Sequence, residues 1–254
     1  MSLRNIKLTL AYDGSDFLGW QIQKSGRTVQ GILQDALNQM HGSQITCTAA
    51  GRTDSGVHAT GQIVNFRSSL DSIPPERYRD AINTHLPEDV RVITSELASD
   101  SFNARRSARW RLYRYYLYCA HVGYPHLRRY CLKIRRQPDI GRLNQLASKI
   151  VGKHDFTVFA AAGDKNKLKI REVLSSCFYP EGPFIVYKIA ANSFLWKMVR
   201  SIVGILLELE ERNADPEELA DIIQSRDRKR AGQTASARGL FLEKVCYDKS
   251  EYPC

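Results

Sequence analysis

The chain has 254 residues, enough for one large domain or two small ones, and its 37 Lys and Arg residues outnumber its 27 Asp and Glu residues. The net charge of +10 favours a polyanionic partner, with nucleic acid as the first candidate and an anionic membrane surface as the second. No apolar run reaches the roughly 20 residues of a membrane-spanning helix, and no signal-peptide core is present, so we expect a cytoplasmic protein.

The six cysteines are scattered along the chain, with neither a C-x-x-C pair nor a histidine at zinc-ligand spacing. We therefore predict no metal site and no disulfide bond. The cysteines are Cys47, Cys119, Cys131, Cys177, Cys246 and Cys254.

A half-buried strand is the first predicted element, because apolar and polar residues alternate over residues 6–12. A loop at residues 13–27 follows, and it contains two aromatic and two basic side chains: Phe17, Trp20, Lys24 and Arg27. These side chains could bind RNA by stacking and by phosphate pairing. Equally, the aromatic side chains could pack back onto the core.

Helices and strands then alternate in the first half. Thr28 is a good N-cap for a helix that runs to Met40, with apolar residues on one face. Proline residues and periodicity predict the rest of this half: strands at 45–50, 62–66 and 90–93, and a helix near 76–86.

The stretch of residues 49–62 lies between two of these strands and contains three glycines, one acid, one arginine and one histidine. Glycines at this spacing bend the backbone tightly and hold the neighbouring side chains in place. Asp54 is the only acid, and Arg52 points to the same side in an extended chain. This arrangement presents a carboxylate nucleophile or base beside a cation. The alternative is a turn in which Asp54 only binds its own backbone.

Basic and aromatic residues interleave over residues 101–118, which end in a predicted strand at 111–118. Arg105 and Arg106 precede that strand and are candidate RNA-binding residues. Such a segment offers aromatic faces to a flipped or single-stranded base and cations to its phosphates. Tyrosine-rich strands also occur in ordinary cores, so both interpretations stay open.

The element order repeats from about residue 120, with a helix at 143–151, strands at 170–178 and 184–191, a helix capped by Ser193, and a closing strand at 240–245. The helix after Ser193 is apolar around most of its circumference and should be buried. Arg200 within it then needs a carboxylate partner, unless its side chain reaches the surface.

Two halves of similar element order predict an α+β protein with two similar lobes, residues 1–105 and residues 106–254. We expect their sheets to be mainly antiparallel, joined to each other and flanked by helices. We also expect a central catalytic cleft between the lobes.

Six groups of motifs occur in order along nearly the whole chain: YDGS at 12–15 with GWQ at 19–21, GRTDSGVH at 51–58, FNAR at 102–105 with RLYRY at 111–115, HDF at 154–156, MVRSIVG at 198–204 and GLFL at 239–242. Together they resemble the tRNA pseudouridine synthase A family. The resemblance implies the pseudouridine synthase fold and isomerisation of uridines 38, 39 and 40 in the tRNA anticodon stem-loop. It also implies a homodimer with the tRNA spanning both subunits.

The resemblance also implies a role for individual residues. Asp54 corresponds to the essential aspartate, which acts as the nucleophile, and Arg52 to the arginine beside it. Tyr113 corresponds to the tyrosine that stacks on the target uracil. Arg200 corresponds to the basic residue that pairs with the aspartate, and Leu240 to an apolar residue packed at the active site. No cofactor is implied, because isomerisation oxidises nothing and transfers no group from outside.

The sequence departs from the family pattern at two places. Trp196-Lys197 stands where a pair ending in histidine is expected, and Ser55 stands where alanine is commoner. Both departures concern RNA contacts more than the chemistry.

Three other functions compete with this one. Residues 54–56 match the Asp-Ser-Gly triplet of aspartic proteases, but those enzymes need two such aspartates and this chain has one copy. A non-catalytic RNA-binding protein would explain the charge and the aromatic residues equally well. A pseudouridine synthase acting on other RNA sites is the third alternative, because site choice resides in loops.

Overall fold

The computed structural model describes residues 3–164 and 166–248, which form two compact units. Within these ranges, the first unit extends to Arg109 and resumes at Leu242, whereas the second unit comprises Trp110–Phe241. Each unit combines a β-sheet with helices, which confirms the predicted α+β class.

The helices and strands are numbered along the chain. Those that begin in the first unit are β1 (Arg4–Tyr12), α1 (Val29–His41), β2 (Cys47–Ala49), β3 (His58–Ser68), α2 (Tyr78–Asn83) and β4 (Val90–Leu97). The others are β5 (Trp110–Cys119), β6 (Leu132–Ile134), α3 (Ile140–Ser148), β7 (Gly152–Asp155), β8 (Ile170–Glu181), β9 (Phe184–Ala191), α4 (Met198–Glu211), α5 (Pro216–Ser225) and β10 (Leu240–Cys246).

The sheet of the first unit has the order β4-β1-β3-β10, and β2 also pairs with β3. The β1–β3, β1–β4 and β2–β3 pairs are antiparallel. The apolar side chains of β1 are buried and alternate with half-exposed ones, as predicted. Helix α1 buries Leu33 and Leu37 on one face, and the Thr28 hydroxyl accepts a hydrogen bond from Gly31 N at 3.3 Å. The predicted N-cap of α1 is therefore confirmed.

β3 begins at His58, earlier than the predicted residue 62, because its ladder with β1 continues past an irregularity. Tyr12 pairs with Ala59 whereas Leu10 pairs with Gln62, so β3 has one extra residue there, as in a β-bulge. Gly61 lies in this bulge, and a Cβ atom on it would be 2.1 Å from the Glu243 carbonyl oxygen of β10. Only glycine allows the two backbones to approach so closely.

The sheet of the second unit is mixed but mostly antiparallel. β5 pairs antiparallel with β9, β9 with β8, and β8 with β7, while β6 runs parallel to β5. α4 has nine of its fourteen residues buried, including Ile202 and Leu206, as its sequence predicts. α3 packs against β8 and α4, so helices flank this sheet.

The start of α4 differs from the prediction. The helix begins at Met198, and Ser193 is not its N-cap. Trp196 is held instead by tertiary hydrogen bonds: its N–H donates to Asp164 Oδ2 at 2.7 Å, and its carbonyl accepts from Ala161 N at 3.0 Å. Lys197 then adopts a left-handed φ of 62°, which no regular helix contains. These contacts keep the preceding residues out of the helix.

The five cysteines that the structure describes are free thiols, and Cys254 lies outside the described residues. Burial raises the pKa of the Cys47 thiol to about 12, so this side chain stays protonated and unreactive near neutral pH.

Candidate active site

Asp54 lies on a short, tightly bound turn between β2 and β3. The turn is closed at one end by Ala50 N–H, which donates to Ile63 O at 2.8 Å, and by the Gln62 amide, which donates to Gly51 O at 2.8 Å. Val57 N–H donates to Asp54 O at 3.1 Å, which makes residues 54–57 a four-residue turn. Its third residue is Gly56, with a φ of 77°, as a type II turn requires.

The loop at residues 13–27 packs against this turn and fixes the backbone on both sides of Asp54. Trp20 N–H donates to Thr53 O at 3.0 Å, and the Ser55 hydroxyl donates to Phe17 O at 3.1 Å. The side chains of Phe17 and Trp20 are 2% and 3% exposed. Of the two interpretations of this loop, the structure therefore supports aromatic side chains packed into the core.

Two glycines permit this close contact between loop and turn. A Cβ atom on Gly14 would lie 2.0 Å from Val57 O, and one on Gly19 would lie 2.7 Å from Thr53 O. Gly19 also has a φ of 96°, a conformation that other residues rarely adopt. Both glycines are therefore required by the approach of one backbone to another.

We expect Gly19→Ala to lower the free energy of unfolding by about 3 kcal/mol. Alanine is strained at the positive φ of this position, and its Cβ atom would also clash with the Thr53 carbonyl oxygen. Turnover should fall as well, because the clash displaces Thr53 and Asp54. Gly42→Ala is the matched control, because Gly42 has a φ of 62° but nothing lies within 4 Å of a Cβ atom there. Backbone strain alone should then lower its free energy of unfolding by about 1 kcal/mol. Urea unfolding and steady-state kinetics compare the two variants. Equal losses of stability would show that the Gly19 contact is unimportant.

Two buried polar contacts support the turn, and the sequence patterns gave them no role. The Tyr12 hydroxyl shares a hydrogen bond of 2.8 Å with the Thr53 hydroxyl, and burial raises the pKa of Tyr12 to about 12. His58 is completely buried, and its Nδ1 accepts from Gly14 N–H at 3.1 Å and lies 3.2 Å from Asp13 Oδ1. The sequence does hold a hint of the second contact, since Asp13 precedes Gly14 and His58 follows two residues after Gly56.

The predicted basic residues of the first unit differ in their surroundings. Arg52 is exposed on the same turn as the half-buried Asp54, and Lys24, Arg105 and Arg106 are also exposed. The Arg27 guanidinium binds both carboxylate oxygens of Asp89, at 2.5 and 2.8 Å, and lies 4.1 Å from the centre of the Phe17 ring.

Arg27 therefore ties its loop to Asp89, which leaves its guanidinium less available to phosphate than that of Arg52. The RNA-binding role of these residues stays a prediction.

Tyr113 belongs to the second unit and lies on β5, opposite Ile189 of β9. Its side chain is 8% exposed. Phe194 meets the Tyr113 ring edge-on, with ring centres 5.1 Å apart and planes at 87°. This geometry is a favourable one for aromatic pairs and fixes the tilt of the tyrosine ring.

Arg200 lies in the first turn of α4 and is half-buried. Its Nε donates to Ala235 O at 2.8 Å, and Ala235 N–H donates to Arg200 O at 3.0 Å. The segment that leads to Leu240 is thereby tied to α4. A further bond, from the Tyr115 hydroxyl to Ser236 O at 2.7 Å, ties the same segment to β5.

Leu240 is buried at the start of β10, directly after Gly239, which packs on the Tyr115 ring. The structure thus brings β5, the start of α4 and the segment before β10 together within the second unit. Arg52 and Asp54 share one turn in the first unit. The expected pairing of Arg200 with Asp54 stays a prediction.

Residues 3–164 and 166–248 show neither a metal-binding cluster nor a membrane-spanning helix. No group of three or more His, Cys, Asp or Glu side chains in these ranges could hold a metal ion. None of the helices in the same ranges is both long and apolar enough to cross a membrane.

Comparisons with known proteins agree with the motifs. A family model described as tRNA pseudouridine synthase matches residues 9–105 and 146–248. Proteins named tRNA pseudouridine synthase A from Treponema denticola and Moorella thermoacetica are 44% and 42% identical to this chain. Their alignments cover 96% and 95% of this chain and 93% and 99% of the relatives. A third, from Brachyspira hyodysenteriae, is 39% identical over 96% of this chain and 99% of its own length.

These matches span both units and nearly the full length of the relatives, and they confirm the resemblance found in the motifs. The chain therefore belongs to the tRNA pseudouridine synthase family, whose members isomerise uridine to pseudouridine in tRNA.

Proposed function

We propose that this chain converts uridines 38, 39 and 40 of the tRNA anticodon stem-loop to pseudouridine, with Asp54 as the nucleophile. The proposal rests on the hydrogen-bonded turn that holds Asp54 and on the membership of the chain in this family. The three relatives are each named tRNA pseudouridine synthase A, and the anticodon positions come from the motif resemblance.

Isomerisation breaks the bond between uracil N1 and the ribose, turns the base, and joins the ribose to C5. The proton on C5 leaves and N1 gains one, so atoms and charge balance without a cofactor. A stacked and paired base cannot turn, and the target nucleotide must first be flipped out, at a cost of a few kcal/mol. The net charge of +10 supports binding of the phosphates that offsets this cost.

Asp54 adds either to the uracil ring or to the ribose carbon. A nucleophile works best when its position is fixed before substrate binds, because the entropy of positioning is then already lost. The hydrogen bonds of Thr53, Ser55 and Val57 supply this rigidity to the Asp54 backbone. Arg52, exposed two residues away, occupies the gap left by the flipped base or binds the adjoining phosphate.

The second unit supplies the groups that hold and deprotonate the base. Tyr113 stacks on the uracil, and its hydroxyl assists removal of the C5 proton. Arg200 is the charge partner of the Asp54 carboxylate in the reaction, and Leu240 contributes an apolar surface to the active site. We further propose that the protein acts in the cytoplasm as a homodimer, with one tRNA spanning both subunits.

Mapping pseudouridine in tRNA from cells with and without this protein tests the proposal. We expect pseudouridine at positions 38, 39 and 40 to disappear without the protein and to return when it is expressed again. Loss at other RNA positions with 38–40 unchanged would favour a synthase for other sites. An unchanged map would leave a non-catalytic RNA-binding protein and would overturn the proposal.

A further inference from the structure

Trp196 is a large aromatic residue that is 47% exposed, in the segment between β9 and α4. A single exposed apolar side chain is ordinary on protein surfaces and needs no function. Trp196 differs from an ordinary one in three respects: how it is held, which charges surround it, and which residues lie next to it.

The backbone of Trp196 is fixed by a buried carboxylate. Trp196 N–H donates to Asp164 Oδ2 at 2.7 Å, and the Asp164 side chain is 1% exposed. Burial opposes ionisation of Asp164, but hydrogen bonds from Asn166 and Trp196 outweigh it and lower the pKa of this carboxyl. The indole lies directly on Gly163, where a Cβ atom would be 2.8 Å from Trp196 Cζ3. The ring is therefore presented in a defined position.

A cation lies against the exposed indole ring, on the side chain of the next residue. Lys197 Nζ lies 5.3 Å from the centre of the Trp196 ring, within cation–π range. Lys197 itself has a φ of 62°, an unfavourable conformation for lysine that is typical of functional positions. Lys167, in the loop that follows Asp164, is exposed as well.

The same segment adjoins residues proposed for catalysis. Phe194, two residues before Trp196, contacts the Tyr113 ring edge-on. Arg200 follows four residues after Trp196, in the first turn of α4. Two residues span at most about 7 Å of chain, so the Cα of Trp196 lies within about 7 Å of the Cα of Phe194, the residue that contacts the Tyr113 ring.

We propose that Trp196 and Lys197 form a stacking site for a tRNA nucleotide next to the flipped uridine. The indole stacks on the base of that nucleotide, and Lys197 pairs with its phosphate. Aromatic stacking on unpaired bases is the usual way in which proteins bind single-stranded RNA loops. This inference rests on the proposed function, because it assumes a tRNA substrate with a flipped nucleotide.

The test compares the tRNA affinity of three variants with that of the wild type. Trp196→Leu keeps an apolar side chain on Gly163 but removes the aromatic face, and we expect roughly tenfold weaker binding. Trp196→Tyr keeps an aromatic face and should bind within about twofold of wild type. Leu168→Ala is the control, since Leu168 is an exposed apolar residue of the neighbouring loop without an aromatic face, and it should bind as wild type. Thermal melts confirm that each variant is folded.

Tryptophan fluorescence gives a second measurement that does not depend on a Leu variant folding. Subtracting the emission spectrum of Trp196→Tyr from that of the wild type isolates the emission of Trp196 from that of Trp20 and Trp110. Binding of tRNA should quench the emission of Trp196. Equal affinities of the Leu and Tyr variants, or no quenching, would overturn the stacking site while pseudouridine formation by the wild type remained. If the wild type formed no pseudouridine in tRNA, the proposed function itself would fail.

Discussion

Asp54→Asn is expected to abolish pseudouridine formation while tRNA binding stays within a few fold of wild type. The amide has the shape of the carboxylate but is not a nucleophile, and loss of a catalytic nucleophile lowers turnover by roughly 10⁴-fold or more. Affinity should persist because it is distributed over many phosphate contacts. The substitution also leaves in place the hydrogen bonds that Trp20 N–H, the Ser55 hydroxyl and Val57 N–H make around the turn.

Single-turnover assays with tRNA labelled at C5 of uridine measure this effect, because the C5 hydrogen is released on isomerisation. Asp100→Asn is the matched control. Asp100 is an exposed acid of the same unit that forms a surface ion pair with Arg67, and removing its charge should leave turnover unchanged. Turnover near wild type for Asp54→Asn, in a preparation free of host synthase, would exclude Asp54 as the nucleophile.

Tyr113→Phe should lower the turnover number by about 10²- to 10⁴-fold and leave the Michaelis constant nearly unchanged. Phenylalanine keeps the aromatic face, so stacking persists, but the hydroxyl that assists proton removal is lost. Phenylalanine also keeps the edge-on ring contact with Phe194. Steady-state kinetics on purified tRNA separate the two parameters.

Tyr116→Phe is the control for this experiment. Tyr116 lies on β5 too, three residues on and therefore on the opposite face, where its ring packs edge-on against Phe184 and Phe241. We expect it to behave as wild type. If Tyr113→Phe raised the Michaelis constant at an unchanged turnover number, the hydroxyl would serve binding and a different group would accept the C5 proton.

Local sequence patterns predicted much of the fold. The alternation in β1 and the single apolar face of α1 behind Thr28 required no knowledge of the rest of the chain. The start of α4 was not predictable in this way. Ser193 is a good N-cap by composition, but the hydrogen bond from Trp196 to Asp164 holds the backbone out of the helix, and it joins residues far apart in sequence.

Strands β6 and β7 were not predicted, for a different reason. β6 has three residues and β7 has four, too few for a period of two to be visible, and most of their side chains are partly exposed. β7 is identified only by its pairing with β8, and β6 by its pairing with β5. Pairing of this kind depends on tertiary structure.

The sequence predicted the residues of the candidate site better than the contacts that hold those residues in place. Glycine spacing and the lone acid singled out Asp54, the apolar helix after Ser193 singled out Arg200, and the motifs assigned a role to Tyr113. The partners that fix the turn were not found, because Tyr12 and His58 act through the distant residues Thr53 and Gly14. Burial also decided between two equal interpretations of the loop at residues 13–27, which composition could not do.

The return of β10 to the first unit has a consequence for synthesis on the ribosome. Leu242–Cys246 completes that unit beside β3, yet it is translated only after the whole second unit. At 5–20 residues per second this delay is on the order of ten seconds, during which the nascent chain has unpaired main-chain groups along β3. The first unit therefore cannot complete its sheet before the second unit has been translated, although most of its residues are made first.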